Sequence, residues 1–312
     1  MTVHAKGKWI ALLVLVLAGG GAAAVFLDPT ATALGVLKRD PFYRSRPATY
    51  WQRQLLDANP ATQAAALQAL QDGGAEAVPV LVHLLHGSGG DDWTAAEVRW
   101  RAADVLGKIG AAARPAAPDL VAALADPDPH VRQVAAQALG ELAPDAPGAV
   151  AALTRQLAAP DPVPSARALA RFGGAAKEAV PALVELLQRN PDATVRWNAA
   201  RTLGKIGPEA KPAIDPLVAA MRDPDALVRE HAAEALGDIG PAAAESVPAL
   251  IAVLKDPEPK VRRDAVRALG QIGPAAREAL PEVNRLRQDP EAIVREAADR
   301  AARLIDPSLS GK

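Results

Sequence analysis

Acid–base or metal chemistry in this 312-residue chain would have to be built from five histidines, His4, His83, His86, His130 and His231, together with carboxylates, because cysteine is absent. The lack of thiols removes disulfides, thiolate metal sites, cysteine nucleophiles and a lipidated N-terminal cysteine in one step. His83 and His86 stand at i, i+3, which puts both imidazoles on one face of a helix, but two ligands without acidic partners nearby do not make a metal site. No phosphate-cradling glycine loop, nucleophile elbow or dinucleotide fingerprint occurs. The residues therefore predict no catalysis, no metal and no cofactor.

Recognition chemistry is better supplied, since arginine recurs in register. Val-Arg pairs fall at Val98-Arg99, Val131-Arg132, Val195-Arg196, Val228-Arg229, Val261-Arg262 and Val294-Arg295, separated by 33, 64, 33, 33 and 33 residues. The 64-residue gap hides one degenerate copy around Ala166-Arg167-Ala168-Leu169 and Phe172-Gly173, where Pro160, Pro162 and Pro164 replace the usual helix start. A residue present in every unit solves a problem common to every unit. Arg99, Arg132, Arg196, Arg229, Arg262 and Arg295 are thus expected to form a structural ladder, bonding the turn aspartate or a carbonyl of a neighbouring repeat.

The elements that position these residues follow from the same period. In one unit Val228, Ala232, Ala235, Leu236 and Ile239 fall at i, i+4, i+7, i+8 and i+11, the stripe of an amphipathic helix that Asp225 can cap. Gly240-Pro241 ends that helix and Pro248 opens the next, at a position where a missing N–H costs nothing. Asp-Pro turns recur at Asp126, Asp223, Asp256 and Asp289, with Asn190-Pro191 as a variant. A single helix pair cannot bury its stripe, so units must stack. Half the residues are apolar but only 3% are aromatic, which suits close packing through Ala, Leu and Val. The expected fold is all-α, an α-solenoid superhelix of about eight helix pairs over residues 48–306, with residues 307–312 as a tail.

Asp-Pro-x-x-x-Val-Arg followed by Ala-x-x-Leu-Gly-x-Ile-Gly resembles the bacterial HEAT-like repeats first associated with phycobilin lyase subunits. Such repeats occur in scaffolds, adaptors and a few enzymes, so the resemblance implies a fold more than a function. A lyase-like attachment of chromophores is the alternative it raises, although that family is soluble. The di-iron hydroxylases built on HEAT repeats use several His-Glu dipeptides, and this chain has only the reversed Glu230-His231. Phe42 to Pro47 with Tyr50-Trp51 also looks like the entry to the array in membrane-anchored bacterial HEAT-repeat proteins. The first unit, with Thr62-Gln63 for Val-Arg, and the last, with Ala302-Arg303 for Leu-Gly, depart from the pattern as capping repeats do.

Specific binding is expected where units differ while geometry is fixed. On the second helix of each pair, the positions two, three, six and ten residues after Val vary freely and lie off the apolar stripe. Trp100, Arg101, Trp197, Asn198, Arg201, Lys205, Arg263 and Arg267 are the candidate partner-binding residues there. Trp and Arg are common interface anchors, and Trp197, Arg201 and Lys205 would suit a protein or peptide segment of acidic character. Two alternatives stand beside this reading: each Trp could be a lid over its neighbouring repeat, and the basic and acidic units could pair with each other across the ridge. Glu230, Glu234 and Asp238 interrupt any basic face, and the formal net charge is −1, so nucleic acid is not expected.

The N-terminus points to a membrane. Lys6 and Lys8 lie in a basic flank, residues 1–8, ahead of an uncharged stretch from Trp9 to Leu27, long enough to span as a helix. A signal anchor over 9–27 is the expectation, and a cleaved signal peptide ending near Ala22-Ala23-Ala24 is the alternative. The repeat body is expected on the exported side, although Lys38, Arg39, Arg44 and Arg46 beyond the stretch outnumber the two lysines before it. Residues 28–47 carry Pro29, Gly35, Pro41 and Pro47 among mixed charges with no sustained apolar period, and read as a linker.

Overall fold

The computed structural model describes residues 30–87 and 93–308. The basic flank, the predicted anchor over 9–27 and most of the tail lie outside the described residues.

The expected linker is folded from Thr30 onward, a correction to the reading of residues 28–47. A short helix, α1 (Thr32–Lys38), leads into a hairpin of β1 (Phe42–Tyr43) and β2 (Arg46–Pro47), with Phe42 opposite Pro47 and Tyr43 opposite Arg46. Tyr43 is 4% exposed and donates its hydroxyl to the Ala69 carbonyl at 3.1 Å, while the Trp51 indole N–H reaches the Tyr43 carbonyl. Asp40 is buried and accepts from the backbone N–H and hydroxyl of Thr49. A linker reading looks for the absence of a sustained apolar period. This segment folds instead on isolated anchors, Ala31, Tyr43 and Pro47, against the first helix pair.

Eight helix pairs follow among the described residues. They are α2 (Ala48–Leu55) with α3 (Pro60–Asp72), α4 (Val78–His86) with α5 (Trp93–Ile109), and α6 (Ala117–Ala123) with α7 (Pro129–Glu141). Next come α8 (Ala149–Gln156) with α9 (Val163–Phe172), α10 (Val180–Arg189) with α11 (Ala193–Ile206), and α12 (Ile214–Ala220) with α13 (Ala226–Ile239). The last two are α14 (Val247–Val253) with α15 (Pro259–Ile272) and α16 (Leu280–Leu286) with α17 (Ala292–Ile305). Two compact units divide inside α7, after Ala138. Each is a stack of helix pairs of the α-solenoid kind.

The C-terminal unit shows why the motif recurs. Asp225 accepts from the N–H groups of Leu227 and Val228, filling the orphan donors at the start of α13. Val228, Ala232, Leu236 and Ile239 are buried on the predicted stripe. Gly240 then takes φ 74°, a left-handed turn that an L side chain resists, and starts a 3₁₀ connector, Gly240–Ser246. That break also divides Ala226–Val253, which has the length and composition of a membrane span, into two repeat helices. The Leu-Gly glycine serves the contact between neighbouring second helices. A Cβ on Gly237 would lie 2.8 Å from the Ala268 Cα, and Gly204 faces Ala235 in the same way. The small-residue composition is therefore the condition for the close stacking of α11, α13, α15 and α17.

Candidate functional site

In four repeats the recurrent arginine closes its repeat onto the next. Arg196 donates Nε and Nη2 to Asp223 at 2.8 and 2.9 Å, Arg229 does the same to Asp256, and Arg262 to Asp289, each carboxylate lying 27 residues on. Arg99 and Asp126 make the same fork in the N-terminal unit. In Arg196, Arg229 and Arg262 the remaining Nη1 turns back to two carbonyls of its own turn, as Arg229 does to Asp223 and Pro224. Arg132 and Arg295 keep these carbonyl bonds, to Asp126 and Pro127 and to Asp289 and Pro290. Each turn aspartate also accepts the N–H two residues ahead, as Asp256 does from Glu258. Planar guanidinium matches planar carboxylate here, with both side chains at most 14% exposed. Arg262 and the Glu291 amide hold the Asp289 carboxyl below the usual range against burial, and the four forked arginines are shifted upward by their aspartates. The degenerate repeat breaks the relay consistently, since the residue 27 before Asn190 is Val163 and no carboxylate is then needed at 190.

Positions three residues after Val do not lie on the surface, a correction to the expected binding face. They sit between neighbouring second helices. Asn198 is 1% exposed, accepting from Arg167 Nε at 3.0 Å and donating to the Thr194 carbonyl at 2.7 Å. Asp264 is 2% exposed and held by Arg263 and Arg267. Arg101, the equivalent residue in the N-terminal unit, is largely buried against Gln63 and Glu97. The helical wheel places these positions off the stripe, but a second helix flanked by a neighbour on each side has a wider buried arc than one stripe provides.

Positions two, six and ten form the outer ridge, where oppositely charged residues pair across repeats. Lys205 reaches Asp238 at 2.7 Å and Glu234 at 3.2 Å, and Arg263 reaches Glu230 at 3.2 Å. The His231 hydrogen bond to Glu234, reinforced by Lys205 against burial, pulls the Glu234 carboxyl down to about 2. Arg267 stays half exposed beside Asp264. Arg201 stands apart: it is exposed, one turn beyond Trp197, and has no carboxylate within ion-pair distance among the described residues.

Both tryptophans are half-buried and meet a histidine of the following repeat. Trp197 stacks on His231 with centroids 5.1 Å apart, while Arg167 of the preceding repeat lies 5.8 Å from its ring. Trp100 meets His130 edge-on at 5.0 Å, with Arg101 at 5.2 Å. Arg167 and His231 were missed by sequence reasoning as ring partners. Their signal lay in the alignment of repeats, which places each beside Trp197 on an adjacent helix. No group of three or more His, Asp or Glu among the described residues could hold a metal ion.

The family model for HEAT repeats matches residues 94–170, 164–236 and 214–303, which together cover more than half of the chain. The chain belongs to the HEAT-repeat family. No curated protein matches it in sequence. Among solved structures it is similar to Kap95p in its complex with RanGDP, at TM-score 0.60 and 16% identity over 92% of this chain and 46% of that one. It is also similar to Kap121p bound to the extreme C-terminus of the protein phosphatase Cdc14p, at 0.59 and 15% over 97% and 39%, so the chain spans about two fifths of Kap121p. YIBA of E. coli aligns at 0.55 and 22% over 82% and 92%. These likenesses show the helical-repeat fold.

Proposed function

We propose that this chain is a non-catalytic protein-binding scaffold, tethered to a membrane through residues 9–27 with its repeats on the exported side, that takes an acidic partner segment along the ridge of its C-terminal unit. One observation carries the reading: Arg201 is an exposed, unpaired guanidinium on a ridge whose other charges are largely engaged, beside the indole of Trp197. A cation left uncompensated on a rigid stack is available to a carboxylate from outside. Arg167 and His231 fix the indole so that binding need not order it, and its exposed edge remains for contact. Kap121p and Kap95p, solved with protein partners, lend the reading support by analogy of fold.

The test is site-specific photocrosslinking in intact cells from position 194, exposed one turn before Trp197, compared with position 177 on a connector. A protein captured from 194 and not from 177, and lost in Arg201→Glu, supports the proposal. Equal capture from both positions, or capture insensitive to Arg201→Glu, refutes it. Protease accessibility of the repeats in sealed cells tests the proposed orientation.

A further inference from the structure

The folded cap ahead of the first helix pair carries an unusual surface. Six large hydrophobic residues are exposed among those described, and three of them, Val36 at 46%, Leu37 at 72% and Phe42 at 40%, fall within seven positions of one another. Lys38, Arg39, Arg44 and Arg46 are interleaved with them, and none has a carboxylate partner within ion-pair distance among the described residues. The one acid of the segment, Asp40, is turned inward onto Thr49, with His83 at 3.7 Å. Residues 30–47 thus carry four cations and one anion, a net of +3, in a chain whose formal net charge is −1. Ala31, just ahead of helix α1, and Gly35 within it are buried, and residues 36–39 are left outward.

The hairpin tip adds a second argument. Arg44 and Ser45 both adopt left-handed backbone, φ 48° and 59°, the two-residue turn for which Asn-Gly is the unstrained choice. Arg44 holds that strained position while its guanidinium lies 5.2 Å from the Tyr43 ring, as Arg46 lies 5.0 Å from that of Tyr50. An arginine kept at the tip against its backbone preference indicates a use for the charge.

We infer that this cap is a membrane-surface element: Val36, Leu37 and Phe42 enter the interfacial layer of a bilayer while Lys38, Arg39 and Arg44 contact anionic lipid headgroups. Apolar side chains interleaved with unpaired cations match the chemistry of that layer, where apolar burial and attraction to headgroups act together. The uncharged stretch Trp9–Leu27 ends three residues before Thr30, so the inference rests on the proposed tether for delivery of the cap to the surface. The first repeat would then be held at the bilayer surface rather than swing on a linker.

Because the chain has no cysteine, Leu37→Cys places a single environment-sensitive fluorophore on the cap, with Lys260→Cys as a distal control. The full chain is mixed with vesicles of phosphatidylcholine alone or with phosphatidylglycerol, and flotation and fluorescence are read together. The expected result is a blue-shifted signal at position 37, quenched by a lipid-borne quencher and strongest with phosphatidylglycerol, and no shift at 260. Lys38→Gln/Arg39→Gln/Arg44→Gln should weaken the cap's partition by roughly 100-fold, with melting unchanged. Flotation with both vesicle types while position 37 stays in water overturns the docking and leaves the tether standing. Flotation only with phosphatidylglycerol, abolished by the triple variant, upholds the docking and removes the tether. Flotation with neither overturns both.

Discussion

Arg229 and Asp256 are 27 residues apart in sequence and 2.8 Å apart in space, and the same carboxylate also accepts the Glu258 amide that shapes its own turn. One bidentate pair therefore joins the start of α13 to the turn before α15. Repetition of that pair at Arg196 and Arg262 ties successive repeats of the C-terminal unit along one edge.

Replacing Arg229 by Ala leaves a mostly buried carboxylate without its partner, and the expected loss is about 2–3 kcal/mol in urea unfolding of the full chain. Arg229→Lys should recover less than half of it, because an ammonium cannot make the fork.

The break in the relay gives a paired comparison. Asp223→Asn removes the partner of Arg196 and should cost about 1–3 kcal/mol. Asn190→Asp adds a carboxylate where Val163 replaces the arginine, and should change stability by less than about 0.5 kcal/mol. Equal effects at the two turns would contradict the pairing.

Acid should loosen the C-terminal unit in a defined direction. The folded Glu234 carboxyl titrates at about 2, below its ordinary value of 4.5, and Asp289 is lowered as well. Groups lowered in the folded state stabilise it above their unfolded values and lose that contribution as pH falls through the folded ones. Stability should therefore change little from these groups near neutrality and decline below about pH 4.5 toward pH 2. The deficit of Glu234→Gln measured at pH 7 should shrink over the same interval.

Steric closeness between second helices predicts a further loss. Gly237→Val would drive a branched side chain into the Ala268 backbone, at 2.8 Å from the first added carbon, and should destabilise by about 1–3 kcal/mol. Circular dichroism melting of the variant beside an exposed control, Lys260→Ala, checks it.

The helix pairs and their stacking were legible because one rule recurs: Val228, Leu236 and Gly240 each answer a requirement every repeat has, so their spacing exposes the fold. The ladder arginines were expected to bond a turn aspartate or a neighbouring carbonyl, but the 27-residue separation of the fork is a product of packing and is visible only in three dimensions. Asn198 was misplaced because a single-helix stripe does not account for burial by a neighbour on each side. The cap looks like a linker in sequence because Ala31, Tyr43 and Pro47 anchor it singly, without a period for sequence to display.

The most direct measurement is capture by a photocrosslinker at position 194 in cells, with Trp197 and Arg201 intact and with Trp197→Ala/Arg201→Glu, at matched melting temperature. A defined protein crosslink that the double variant loses by at least roughly tenfold is expected, the scale for truncating an aromatic or charged anchor at an interface. A crosslink of equal yield in the double variant would contradict it.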